Sequence, residues 1–209
     1  MEPERCTVII LAGGRSTRLG RDKASAMLEG RTLLQRAVDA TSPLADAYVI
    51  VTAKGQALPE IDSEVLVHTV EDAYTDTGAL GGIYTGLLAI GDSPGAALVV
   101  ACDMPLLQPS LLRELLRLAP SHDAVVPMRD GLPEPLCAVY TTACVGPARR
   151  LLDRGSYKVA GLLDEVSALR VPEEEWRVFD PDGHSFLNIN REDDLDLARS
   201  LITQRTKRG

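Results

Sequence analysis

A short apolar run, Cys6-Thr-Val-Ile-Ile-Leu11, leads straight into Ala12-Gly13-Gly14. Six residues leave no room for a helical repeat, so the run reads as a strand buried on both faces, which requires a covering layer on either side. Gly13 and Gly14 admit backbone angles closed to other residues and let main-chain N–H groups approach an anion unobstructed. Arg15, Arg18, Arg21 and Lys23 follow, against a single acid, Asp22, in a chain whose formal net charge is −8. Cations gathered on a glycine loop in an otherwise acidic chain have the layout of a triphosphate cradle. The loop has neither the Gly-Lys-Ser/Thr ending of a P-loop nor the Gly-x-Gly-x-x-Gly of a dinucleotide fold.

Strands and helices alternate downstream. The apolar patterning predicts strands over Cys6–Leu11, Ala47–Thr52, Val65–Val70, Ala96–Ala101, Ala124–Met128, Leu136–Thr141, Ala168–Val171 and Phe186–Ile189. Helical spacing falls over Leu33–Thr41, Gly78–Ala89, Gly146–Asp153 and Ala160–Val166, and again from Pro109, where Leu111, Leu112, Leu115, Leu116 and Leu118 form the apolar face. Asn190 is expected to cap a last helix whose first turn carries Glu192, Asp193 and Asp194. This order implies an α/β fold with a doubly wound, mostly parallel sheet, and 209 residues suit one such domain better than two.

Composition then removes whole classes of function. An isoelectric point near 4.9 argues against nucleic acid as a partner, because phosphate-backbone binding needs a broad basic surface. No apolar run approaches the ~18 residues of a membrane span, and the first residues, Met-Glu-Pro-Glu-Arg, lack the pattern of a secretory signal; a cytoplasmic protein without membrane insertion is expected. Cys6, Cys102, Cys137 and Cys144 lie far apart and read as buried reduced thiols, while His68, His122 and His184 are scattered, so no zinc site or Cys/His nucleophile is indicated.

In open α/β sheets ligands gather beyond the carboxyl ends of the strands. Four places qualify: the Leu11 loop, Thr52, Asp72 and Asp103. Asp103, in Cys102-Asp-Met-Pro105, sets a carboxylate where proline ends the regular structure, which suits a hard divalent cation such as Mg²⁺ held with substrate phosphates.

Together these motifs resemble a known family. Leu-Ala-Gly-Gly-Arg-Ser-x-Arg-x-Gly-x-Asp-Lys at 11–23, Glu71-Asp72, Cys-Asp-Met-Pro at 102–105, Glu-Pro-Leu-x-Ala-x-Tyr at 134–140 and Asn-Ile-Asn at 188–190 are similar to those of molybdenum cofactor guanylyltransferases of the MobA type, from about Val8 to Leu197. The resemblance implies a Rossmann-like nucleotidyltransferase that joins GMP from GTP to Mo-molybdopterin and releases pyrophosphate. It implies a nucleotide-binding half over about 6–120 and an acceptor-binding half over about 121–203. Other cofactor-biosynthesis or target proteins would be transient partners. By position, Leu11, Ala12 and Gly13 would hold GTP through their backbone, Lys23 would contact its phosphates, Thr52 and Asp72 would help bind the nucleoside, and Asp103 would bind Mg²⁺. The chain departs from the common pattern at Thr52, where relatives often carry an amide, and at Ala79, where proline is commoner.

Chemistry extends the assignment. Nucleotidyl transfer is promoted mainly by positioning and by neutralising charge, and a phosphomonoester acceptor is already anionic, so no general base is required. Lys23, Asp103 and Arg18 are the expected catalytic residues, with Gly14 and Arg15 adding to the GTP site, Asn190 a second candidate metal ligand, and Asn188 and Lys158 candidates for the acceptor. The alternatives are a molybdopterin cytidylyltransferase, a sugar-phosphate nucleotidyltransferase, and a non-catalytic GTP-binding regulatory module.

Overall fold

The computed structural model describes residues 5–13, 22–91 and 95–208. Its centre is a sheet built from β1 (Cys6–Leu11), β4 (Ala45–Thr52), β5 (Leu66–Glu71), β6 (Ala96–Ala101), β7 (Ala124–Arg129), β8 (Leu132–Pro133), β9 (Cys137–Thr141) and β10 (Ala168–Val171). The order across it is β10-β7-β9-β6-β1-β4-β5, with β8 paired only to β7. β9 runs antiparallel to both neighbours and β8 to β7, while every other pairing is parallel. A separate two-stranded hairpin, β2 (Met27–Leu28) with β3 (Arg31–Thr32), follows the cationic loop.

Helices cover both faces, as a strand like β1 requires. α1 (Leu33–Thr41) and α3 (Pro109–Leu118) pack on one face over Val8 and Ile10; α2 (Gly78–Ile90), α4 (Val145–Asp153) and α5 (Val159–Glu165) pack on the other over Ile9 and Leu11. α2 lies close because two of its glycines, one turn apart, face β1: a Cβ on Gly82 would sit 3.0 Å from the Leu11 side chain and one on Gly86 only 2.5 Å from that of Ile9. Thr32 begins α1 by accepting the Gln35 N–H at 3.1 Å, and Pro109 begins α3 with Leu111, Leu112, Leu115 and Leu116 buried beneath it.

The chain moves outward from β1 to β4 and β5, then returns to β6 on the other side of β1. This reversal is the switch point at which a crevice opens beyond the carboxyl ends of an α/β sheet. Across it, the Cys102 N–H donates to Leu11 O at 3.1 Å.

Two expectations need correction. Residues 186–189 do not form a strand: 184–186 make a 3₁₀ turn, and the segment beyond meets the strand ends through a single backbone bond, Ile189 N–H to Asp103 O at 2.9 Å. Its apolar residues are buried for other reasons, Phe186 edge-on against Trp176 of α6 (Glu173–Trp176) at 4.8 Å and Ile189 in a satellite core. Asn190 does not cap α7 (Glu192–Arg208). The Asp194 carboxylate takes that role, accepting the N–H groups of Asn190 and Arg191 at 2.7 and 2.8 Å.

Candidate active site

The satellite core is small but decides where the site residues stand. Ala26, Leu28 and Leu33, from the hairpin region, bury against Ile189, Leu195 and Ala198, from the run into α7. Lys23 lies just before the first group and Asn190 just after Ile189, so packing of the two groups carries both polar side chains to the mouth of the switch point. There Lys23 Nζ donates to Asp103 Oδ2 and to Asn190 Oδ1, each at 2.7 Å. The Lys23 and Asp103 side chains are 22% and 15% exposed, sheltered but open to a ligand. Three of the expected site residues thus meet at one point.

The root of the cationic loop is fastened to β4. Ala12 N–H and Gly13 N–H both donate to Val51 O, at 2.8 and 3.0 Å, and Leu11 O receives Cys102. A Cβ on Gly13 would stand 2.8 Å from the Ala53 nitrogen and 3.0 Å from the Thr52 carbonyl carbon, so only glycine permits this approach of backbone to backbone. The N–H groups of Ala12 and Gly13 are therefore engaged within the protein. Gly14, Arg15, Arg18 and Arg21 lie outside the described residues.

Thr52 reaches the strand end but is 2% exposed, with its hydroxyl directed to Val70 O at 3.3 Å. Its carbonyl accepts the Asp72 N–H at 2.8 Å, so both its hydroxyl and its carbonyl are engaged within the protein. Asp72 is held differently. Its Oδ1 accepts Thr85 Oγ1–H at 2.9 Å and Tyr74 N–H at 3.1 Å, while Oδ2 has no partner among the described residues and can receive a ligand hydroxyl.

The 184–190 segment runs along the strand ends as a strap. Near β7, Arg129 pairs with Glu134 at 2.7 Å and stands 5.5 Å from the centre of the Phe186 ring. Burial raises the Glu134 carboxyl above the usual range, and the Arg129 guanidinium opposes that rise. Asn188, half-buried, donates to Phe186 O at 3.3 Å. Lys158 is exposed in the α4–α5 turn, which the antiparallel course of β9 returns to the carboxyl edge of the sheet. No bond joins it to the Lys23 cluster.

Sequence reasoning missed Gln56. Its Nε2 donates to Ala12 O and Asp22 Oδ1 at 3.0 and 2.8 Å, and its Oε1 accepts Ala53 N–H at 2.9 Å. The available signal was an amide just past a strand end facing the glycine loop.

Residues 8–168 match the MobA-like NTP transferase domain family. The probable molybdenum cofactor guanylyltransferase of Chloroflexus aggregans is 35% identical over 200 residues, 93% of each chain. The molybdenum cofactor guanylyltransferase of Desulfosudis oleivorans is 34% identical over 198 residues, 94% of this chain and 95% of that one. A crystal structure of molybdopterin-guanine dinucleotide biosynthesis protein A from Archaeoglobus fulgidus superimposes with a TM-score of 0.78 at 28% identity, covering 95% of this chain and 100% of that chain. A doubly wound sheet with a lysine and a carboxylate meeting at its switch point is, with these likenesses, that of a nucleotidyltransferase. Within that class, the chain belongs to the MobA-like NTP transferase family.

Proposed function

We propose that the protein transfers GMP from GTP to the terminal phosphate of Mo-molybdopterin, forming the guanine dinucleotide cofactor and pyrophosphate. The observation that carries this is the convergence of Lys23, Asp103 and Asn190 at the switch point, in a chain whose relatives are named molybdenum cofactor guanylyltransferases. An acceptor phosphate oxygen bonds to the α-phosphorus of GTP, the α–β bridging bond breaks, and pyrophosphate leaves.

The chain's own groups suit this reaction. An ammonium has three donors; Asp103 and Asn190 take two from Lys23, and the third is left for an α-phosphate oxygen whose charge rises in the transition state. Asp72 Oδ2 is an acceptor for a nucleoside hydroxyl. Arg15 and Arg18 would hold the β- and γ-phosphates, with guanidinium geometry matching paired oxygens. Asn188 and Lys158 are the candidates for the acceptor's own polar groups. No histidine is assigned a role, because the attacking phosphate arrives already ionised.

The donor set suits Mg²⁺. Asp103 and Asn190 direct two hard oxygens at one cationic centre, which Lys23 Nζ fills, and among the described residues no group of three or more His, Cys, Asp or Glu offers a closed metal site. Mg²⁺ commonly takes one or two protein oxygens and completes its shell from water and phosphate. Bound by Asp103 and Asn190, it would supply charge neutralisation at the phosphates. None of the described helices is long and apolar enough to cross a membrane, and the four free, buried cysteines fit action in the cytoplasm.

Incubation with Mg²⁺, Mo-molybdopterin and each of the four nucleoside triphosphates tests the reading. Pyrophosphate release and dinucleotide formation are expected with GTP alone and only when the pterin is present. Turnover with CTP alone would overturn guanylyl specificity, and tight GTP binding without product would favour a regulatory binder.

A further inference from the structure

Asp22 is the only acid between Arg15 and Lys23, and it adjoins the lysine of the site. A carboxylate in that position competes for the cations meant for phosphate. In the structure it does not pair with Lys23. Its Oδ1 accepts Gln56 Nε2–H at 2.8 Å, its Oδ2 accepts Ser25 Oγ–H at 3.1 Å, and the Lys23 ammonium goes to Asp103 and Asn190. Among the described residues, the partners of the carboxylate are these two neutral donors.

Gln56 does more than occupy Asp22. The other hydrogen of its amide group meets Ala12 O at 3.0 Å, and its carbonyl accepts Ala53 N–H at 2.9 Å. Ala12 and Asp22 flank the cationic loop, and both present acceptors at this point. Only a group with two donors on one atom satisfies both at once, and its own acceptor is what the Ala53 N–H needs. A glutamate of the same shape would turn two attractions into repulsions. Fixing both ends of a ligand-binding loop before binding reduces the ordering cost that the ligand must otherwise meet.

We infer that Gln56 is a positioning residue for the nucleotide: it staples the two ends of the cationic loop to the end of β4 and holds the Asp22 carboxylate away from Lys23 and the triphosphate. The inference takes the identity of the nucleotide, GTP, from the function proposed above, and nothing else.

GTP binding to the full-length protein, measured by calorimetry, and steady-state turnover provide the test. Gln56→Met keeps the length of the side chain and removes its hydrogen bonds. It is expected to weaken GTP binding and raise KM by about tenfold, as loss of bonds to a charged group would, with kcat at saturating GTP within about twofold of the parent. Gln56→Glu should weaken binding further at pH 8 and recover as the pH falls and its carboxyl protonates into a donor. The swap Gln56→Glu with Asp22→Asn restores a donor facing an acceptor at position 22 with polarity reversed, while Ala12 O still faces a carboxylate, and should regain part of the affinity lost in Gln56→Glu; a residue that merely fills space would show no such rescue. Unchanged GTP affinity in Gln56→Met, loss of kcat rather than affinity, or failure of the swap would overturn the inference. If Gln56→Met does not fold, the glutamate variant and its swap carry the same comparison. The parent titration separates the two readings, because a parent that does not bind GTP refutes the proposed function itself.

Discussion

Lys23 Nζ lies 2.7 Å from Asp103 Oδ2, joining a residue of the cationic loop to one beyond the fourth parallel-running strand, 80 positions away. Neither side chain is fully buried, so the pair is worth on the order of 1 kcal/mol or less to the fold. Its value is in the position of the charges.

Lys23→Met is therefore expected to lower turnover by about 10²–10³-fold, the cost of removing a donor aimed at transition-state charge. Its melting temperature should stay within a few degrees of the parent. Thermal melts set beside initial rates decide the matter, since activity and stability falling in proportion would make Lys23 a structural residue.

The seat at Asp103 and Asn190 is filled by an ammonium. A divalent cation entering it must displace Lys23 toward the phosphates. Mn²⁺ titration followed by its magnetic resonance, without nucleotide, should then show tighter binding to Lys23→Met than to the parent and loss of binding in Asp103→Asn. Weaker binding to Lys23→Met would mean that the lysine orients Asp103 for the metal instead of competing with it. Chelation should abolish turnover in the parent.

Gly86→Ala places a Cβ 2.5 Å from the Ile9 side chain in a core without slack. Overpacking of this kind costs about 1–3 kcal/mol. Urea denaturation should show that loss with little change in GTP affinity, whereas Gly13→Ala, whose Cβ meets backbone at 2.8 Å, should lose both.

The cysteines set an alkaline limit. Burial raises the Cys6 and Cys144 thiols from 9.0 to about 12 and raises those of Cys102 and Cys137 as well. The folded state thus retains protons that the unfolded chain gives up. The corresponding stability is complete below the unfolded value and is lost as pH rises from 9.0 toward about 12. The urea midpoint should fall between pH 8 and pH 10, and a thiol reagent at pH 8 should label the cysteines only after unfolding. Rapid labelling of the native protein would contradict this burial.

The sheet was legible because its central strands, β1, β4 and β6, are apolar on both faces. β1 and β6 occur over the residues that patterning predicts, β4 and β7 extend beyond expectation by two residues and one residue at an end, and β5 is shifted by one residue. The hairpin of β2 and β3 was not foreseen, since two-residue strands carry no period. Phe186 to Ile189 misled because apolar residues buried one at a time, by Trp176 and by the satellite core, imitate a strand locally. Lys23, Asp103 and Asn190 were each readable as candidates. Their meeting was not, because it depends on packing between segments far apart in the chain.

The satellite core also has a consequence in time. Lys23 and Asp103 are synthesised early, but the partner that completes their cluster, and the apolar residues that hold the hairpin in place, are Ile189, Asn190, Leu195 and Ala198. While the ribosome still encloses those residues, the large sheet can already form, yet the cation seat has no second wall. Under the proposed function, a nascent chain folded for most of its length would still lack the side chain that completes the Lys23 cluster.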